Sequence, residues 1–157
     1  IYTARLRAKG ILIGSGRDLT LLRRVPVMSA QVTPLPTEPV YASDPLSKLI
    51  TLHAHHNVPD FVVVNHEGQY MGMVTGSDMR TALIDREAIP LLLVAELVRT
   101  DIPTVHPDET LDTVLDKFAK LDVSSLCLVH DREPDRPMGL ITRSNVMSRY
   151  QRALEES

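Results

Sequence analysis

The eight residues Met71-Gly72-Met73-Val74-Thr75-Gly76-Ser77-Asp78 return as Met138-Gly139-Leu140-Ile141-Thr142-Arg143-Ser144-Asn145. Both copies read Met-Gly, two apolar residues, Thr, a free position, Ser, then an acid or its amide. A chain of 157 residues that writes this pattern twice is a repeat, and its fold has to be built from two like units. An apolar run precedes each copy, Phe61-Val62-Val63-Val64 and Leu126-Cys127-Leu128-Val129, and each reads as a buried strand. Before each strand the spacing is helical: Leu46, Leu49, Ile50 and His53 in one copy, Leu111, Val114, Leu115 and Phe118 in the other. Ser43-Asp44-Pro45 and Asp108-Glu109 are helix-start signals, because short acceptors and carboxylates suit the free amides of a helix N-terminus.

The register of the repeat is tight. Leu111 follows Leu46 by 65 positions and Val129 follows Val64 by 65, whereas Gly139 follows Gly72 by 67. The second copy therefore has the longer hairpin, Asp131 to Pro137, where the first turns on Asn65-His66-Glu67-Gly68. Each octapeptide supplies a second strand, Met71–Val74 or Met138–Ile141. A helix then starts near Ser77 or Ser144 and carries Leu83 and Ile84, or Val146, Met147 and Tyr150. Each half thus runs extended lead-in, helix, strand, hairpin, strand, helix. The expected class is α+β, a tandem pair with pseudo-twofold symmetry. A unit of about 60 residues buries little surface alone, so two copies should share a core.

Composition narrows the function. Apolar residues are 43%, charged residues 24% and the net charge −3, the balance of an ordinary globular domain with no bias toward nucleic acid. The charge is uneven: residues 1–24 carry six basic side chains against Asp18 alone. The single cysteine, Cys127, excludes an internal disulfide and sits in an apolar strand, where a buried thiol is the default. No apolar run reaches the roughly 20 residues that span a bilayer. Starting at Ile1 without a signal pattern, the chain is expected to be a piece of a longer protein.

Helix, apolar strand, hairpin, Gly-apolar-apolar-Thr-x-x-Asp and helix, present twice over roughly residues 25–150, resemble the cystathionine β-synthase (CBS) domain pair, or Bateman module. Val27-Met28, Val105-His106-Pro107-Asp108-Glu109-Thr110-Leu111 and Met138-Gly139-Leu140-Ile141-Thr142 are typical of that family. The implied division is a membrane-proximal basic linker over 1–24, CBS domains over 25–86 and 87–150, and a tail over 151–157. The resemblance implies a regulatory homodimer without catalysis, with no required cofactor, that takes an adenine nucleotide (AMP, ADP or ATP) in clefts between the repeats. Ile1-Tyr2-Thr3-Ala4-Arg5-Leu6-Arg7-Ala8-Lys9-Gly10 is similar to the stretch leaving the last membrane helix in ClC-family chloride channels and chloride/proton exchangers. That implies a cytoplasmic domain of an integral membrane protein, partnered by the membrane-embedded transport domain of the same chain and modulating chloride transport. The alternatives are a nucleotide-sensing module of another transporter or metabolic enzyme, and a ligand-free dimerisation module.

Residue by residue, Gly72 and Gly139 mark strand positions where another backbone or a ligand approaches closely. In the resembling family the Thr and the helix start face phosphate, and the acid accepts both ribose hydroxyls. Ordinary helix caps account for the same residues. One cleft would combine Thr75, Ser77 and Asp78 with Ile102, Thr104 and Val123. The other would combine Thr142, Arg143 and Asn145 with Thr37, Asn57 and Val58. Arg143 is a phosphate ligand or a solvated surface arginine. Asn145 lacks the charge and paired oxygens of Asp78, so the Asp78 cleft is expected to be the tighter. His53, His55 and His56 suggest a metal, but His53 aligns with Phe118 and is expected to be a partly buried helix residue.

Overall fold

A computed structural model describes residues 16–55 and 59–156. Its elements are α1 (Gly16–Arg24), α2 (Leu46–His55), β1 (Phe61–Val64), β2 (Tyr70–Val74), α3 (Gly76–Leu83), β3 (Thr104–Val105), α4 (Leu111–Lys120), β4 (Ser125–Val129), β5 (Pro137–Thr142) and α5 (Arg143–Glu156). The molecule is a mixed helix-and-sheet pair of like units, as the repeat requires. No helix among the described residues is long and apolar enough to cross a membrane.

Each unit is a hairpin covered by helices. β1 pairs antiparallel with β2, and β4 with β5, and both hairpins shift register at equivalent steps, Val63/Val64 and Leu128/Val129. The first turn closes because the Asn65 side-chain oxygen accepts from the Glu67 and Gln69 amides, each at 2.9 Å, and Gly68 takes a φ of 80°. A parallel lead-in flanks each hairpin: β3 beside β4 in the second unit, and Tyr41 bridged to Val64 in the first. Strand alternation splits β1 between two cores. Phe61 and Val63 join Leu46, Leu49, Leu52 and Met79 in the first unit, while Val62 packs with the second unit's β3–β5, α4 and α5.

The segments preceding each unit are exchanged. Residues 22–33 lead into the first unit yet pack on the second: Leu22, Val25 and Val27 are buried in its core. Val27 N–H donates to the Glu109 carbonyl at 2.9 Å and Leu111 N–H to the Val25 carbonyl at 3.0 Å. Residues 92–99 do the same for the first unit, with Val94 N–H donating to the Asp44 carbonyl at 2.9 Å and Leu46 N–H to the Leu92 carbonyl at 3.0 Å. Each exchanged segment ends as a one-bridge edge on the far strand, Arg99 on Met73 and Thr33 on Leu140. The expected linker over 1–24 therefore differs from the structure at its end, where residues 16–24 are helical and Leu22 is fully buried. Its first fifteen residues lie outside the described part.

One helix residue departs from expectation. His53 is exposed, with only its ring edge toward Phe61 at a centroid separation of 6.5 Å, whereas Phe118 is buried. Leu52 takes the buried place on α2, so its apolar stripe runs Leu46, Leu49, Leu52. His55 is exposed too and bonds the Thr51 carbonyl one turn back, while His56 lies outside the described residues.

Candidate ligand cleft between the repeats

The repeated octapeptide places its residues alike in both units. Thr75 caps α3, its hydroxyl accepting from the Asp78 amide at 3.1 Å; Thr142 caps α5 on the Asn145 amide at 3.1 Å. The threonines, not Ser77 or Asp78, are the caps. The first amide of each helix is also engaged: Gly76 N–H donates to Asp60 Oδ1 at 2.8 Å, and Arg143 N–H to the Ser124 carbonyl at 2.9 Å. Among the described residues, the middle amide of the leading three, that of Ser77 or Ser144, is the one without a partner at each helix start.

A cavity of about 680 Å³ opens at the start of α5. Thr142, Arg143, Ser144, Asn145 and Met147 form one wall. Pro59, ahead of β1, and Ser124, ahead of β4, form another, with Gln31 and Thr33 from the exchanged lead-in. The structure thus brings Thr142, Arg143 and Asn145 together at a cleft walled by both units. Asn57 and Val58 lie outside the described residues. Thr37 lines a separate groove of about 190 Å³ with Leu35, Phe61 and Pro137, and Gln31 and Thr33 stand in the cleft instead.

Within the cleft the polar groups are already partly committed. Asn145 Nδ2 donates to the Gln31 carbonyl at 3.2 Å, which leaves its side-chain oxygen as acceptor. Arg143 Nη2 meets the carbonyls of Phe118 (3.0 Å), Leu121 (3.2 Å) and Val123 (3.1 Å) at the end of α4, and its guanidinium lies 5.1 Å from the Phe118 ring centre. Burial there lowers the Arg143 pKa, while the Asp122 carboxylate pulls it back up.

The residues expected around Asp78 have other partners. Thr75 is buried, Ser77 is exposed and Asp78 is half-buried. Ile102 is buried, and its carbonyl accepts from the Tyr70 hydroxyl at 3.0 Å. The Thr104 carbonyl accepts from Lys117 at 2.7 Å, and buried Val123 gives its carbonyl to Arg143. No hydrogen bond joins the Asp78 side chain to those three among the described residues.

Sequence reading missed one buried pair. Asp60 and Ser125 are 3% and 0% exposed, and the Ser125 hydroxyl donates to Asp60 Oδ2. They stand at equivalent positions, 65 apart, so the bond marks the pseudo-twofold axis directly behind the cleft residues Pro59 and Ser124. The signal was available in the repeat offset, but an acid facing a serine does not look like a matched pair. A carboxylate at both positions would bury two like charges together.

His106, Asp108 and Asp131 bring their ligand atoms within 4.8 Å of one another, away from the cleft. Both His106 ring nitrogens have protein partners: Nδ1 accepts from the Asp108 amide at 3.1 Å, and Nε2 lies 3.2 Å from the Asp131 carbonyl. Cys127 is fully buried, and burial pushes its thiol up to about 12, which disfavours the thiolate.

Against known proteins, the CBS domain profile matches residues 22–85 and again 94–152. The chain belongs to the CBS-domain family. Those bounds begin the first match at Leu22, although its side chain packs in the core of the second unit. A curated relative, the L-aspartate semialdehyde sulfurtransferase of Methanocaldococcus jannaschii, is 26% identical over 91 residues, covering 58% of this chain and 17% of its own length. The chain spans under a fifth of that relative. Among solved structures, the CBS domain pair of protein MJ0100, in complex with 5′-methylthioadenosine and S-adenosyl-L-methionine, superimposes with a TM-score of 0.64 at 23% identity, covering 80% of this chain and 98% of that one. The CBS domain of a bacterial CNNM/CorC-family Mg2+ transporter in complex with ATP gives 0.68 at 17% identity, with 86% and 93% covered. At these identities the likeness shows the fold alone, a CBS pair; modules of this family are generally regulatory.

Proposed function

We propose that this chain is the ligand-sensing CBS pair of a larger protein, in which an adenine nucleotide or nucleoside enters the cleft between the repeats. The observation that carries the reading is the cavity itself, because its walls come from both units: Pro59 from the first, Ser124 and Asn145 from the second. A ligand held by both walls favours one relative placement of the units. It can regulate an attached domain to the extent that it binds the two placements unequally. The adenine compounds held by the similar CBS pairs support the ligand class.

The narrower reading, a cytoplasmic CBS pair joined to the membrane domain of a ClC-type chloride channel or exchanger, rests on Ile1-Tyr2 and the basic stretch after it. Those residues lie outside the described structure, and a magnesium-transporter CBS pair shares the fold, so the broader reading is the better supported. Several long apolar segments upstream of Ile1 in the parent sequence would favour the channel. We take the working unit to be a homodimer. Of the apolar residues carried by the helices that follow each octapeptide, Val146 is buried within the chain, while Ile84 is 85% exposed, and Leu91 further along the chain is 80% exposed.

A thermal-shift series with adenosine, AMP, ADP, ATP and S-adenosylmethionine, with guanosine as control, tests the sensing function. Ligand at a hundredfold excess over its Kd adds about 2.7 kcal/mol, a rise of roughly 5–10 °C for a domain of this size. A flat response to every adenine compound would leave a dimerisation module without a ligand.

A further inference from the structure

Three side chains with metal-binding atoms converge at the loop ahead of α4. His106 and Asp108 lie in that loop and Asp131 opens the second hairpin, and one ligand atom from each falls within 4.8 Å of the others. The hydrogen bonds of the ring show which nitrogen is available. Nε2 faces an acceptor, the Asp131 carbonyl, at 3.2 Å, and so carries the proton of the neutral ring. Nδ1 keeps its lone pair, accepts the Asp108 amide at 3.1 Å and stands 3.5 Å from Asp108 Oδ2. Two ligands of one tetrahedral ion, each about 2.1 Å from it, lie roughly 3.4 Å apart. The bond from Nε2 to a backbone carbonyl is the support that fixes tautomer and ring plane in a ligating histidine.

The repeat supplies an independent comparison. Tyr41 and His66 stand 65 positions before His106 and Asp131, and they join the equivalent loop and turn of the first unit by stacking their rings at 4.6 Å. The second unit instead sets two carboxylates around an imidazole, and among the described residues neither aspartate is paired with a lysine or arginine. Glu109 beside them is committed to Lys117 at 2.7 Å. Two carboxylates without a basic partner and an imidazole lone pair suit a divalent cation, and imidazole favours a transition ion over magnesium. We propose that His106, Asp108 and Asp131 form a binding site for a divalent transition-metal ion of the zinc type, which clasps the loop ahead of α4 to the second hairpin. The ion takes the Nδ1 lone pair in place of the Asp108 amide bond. Both aspartates are exposed, which leaves its remaining positions to water.

Calorimetry of the whole chain with Zn2+ alone, in buffer free of chelators, tests the site. One ion per chain is expected to bind. His106→Ala and Asp131→Asn should each weaken it tenfold or more. His55→Ala, on α2, should leave the affinity unchanged, and excess Mg2+ should not displace the ion. Asp131→Asn is an isosteric change at an exposed side chain, and it keeps the test open should His106→Ala fail to fold. Absence of saturable Zn2+ binding would overturn the proposal. So would binding that His106→Ala and Asp131→Asn leave intact while His55→Ala removes it, which would move the ion to α2. Displacement by Mg2+ would also overturn it, because the imidazole would then have no part in holding the ion.

Discussion

At Gly72 a β-carbon would stand 2.3 Å from the Arg99 carbonyl oxygen, and at Gly139 2.5 Å from a Val32 methyl and 3.1 Å from the Thr33 carbonyl. Each glycine admits the exchanged segment that bridges its strand, so the close approach foreseen from the octapeptide is made by that segment, through backbone at Gly72 and first through a Val32 methyl at Gly139. The two differ in what must give way. Rigid backbone blocks a methyl group at Gly72, whereas at Gly139 a side chain is the nearest obstacle. Gly72→Ala should therefore cost about 2–3 kcal/mol and Gly139→Ala about 1 kcal/mol, within the range for overpacking. Urea denaturation of the two variants checks the order; equal losses would mean that the strand edges adjust alike. Asp60 shows the same dependence on place. Its neighbours in sequence gave no hint of a role, yet its carboxylate joins Gly76 to Ser125 across the pseudo-twofold axis.

The helices α2 and α4 share a device that their start signals only half disclosed. Asp44 and Glu109 occupy equivalent positions, and each turns back to accept the amide three residues earlier, Tyr41 at 2.8 Å and His106 at 2.9 Å. Each also binds a lysine, Lys48 at 2.8 Å and Lys117 at 2.7 Å. Burial raises both carboxyl pKa values, but the lysine and amide bonds outweigh it and hold them below the ordinary carboxylate range. A depressed folded-state pKa gives stability that is complete above the unfolded value and is lost as pH falls through the folded one. Stability should accordingly hold from neutral pH to about pH 5 and decline below about pH 4. The worth of a hydrogen bond to a charged group, about 1.5–3 kcal/mol, is the upper bound on the loss per acid. Asp44→Asn with Glu109→Gln should start less stable and lose less on acidification, which urea midpoints between pH 7 and pH 3 would report. An unchanged acid slope in the double variant would assign acid sensitivity to other carboxylates.

At the scale of the molecule, neither repeat is complete without chain that precedes the other. Val94 fills the first core from the connection between the units, and Leu22, Val25 and Val27 fill the second from ahead of the first. The repeats should unfold as one cooperative unit for this reason. The surface left over is uneven, with Ile84 and Leu91 standing out after α3. Pairing of this face with its own copy is the expected use. Light scattering should give a dimer of the 17.5 kDa chain at micromolar concentration, and Ile84→Glu with Leu91→Glu should give a monomer of unchanged helix content. A double variant that remains dimeric would place the interface elsewhere.

Local physics made much of this protein readable in its sequence. Continuous apolar runs and turn residues determined both hairpins, helical spacing determined α4, and the offset of 65 determined that two like units follow one another. The threonines, glycines and helix starts of the octapeptide were likewise marked as special positions. Tertiary structure decided what those positions meet. Which backbone lies over Gly72, which hydroxyl faces Asp60 and where Arg143 directs its charge all depend on chain tens of residues away. Periodicity carries no information about such contacts. The exchange of lead-in segments was hidden for the same reason: a short apolar stretch such as Val25-Pro26-Val27 is equally suited to either core, and only closure of both units assigns it to the second.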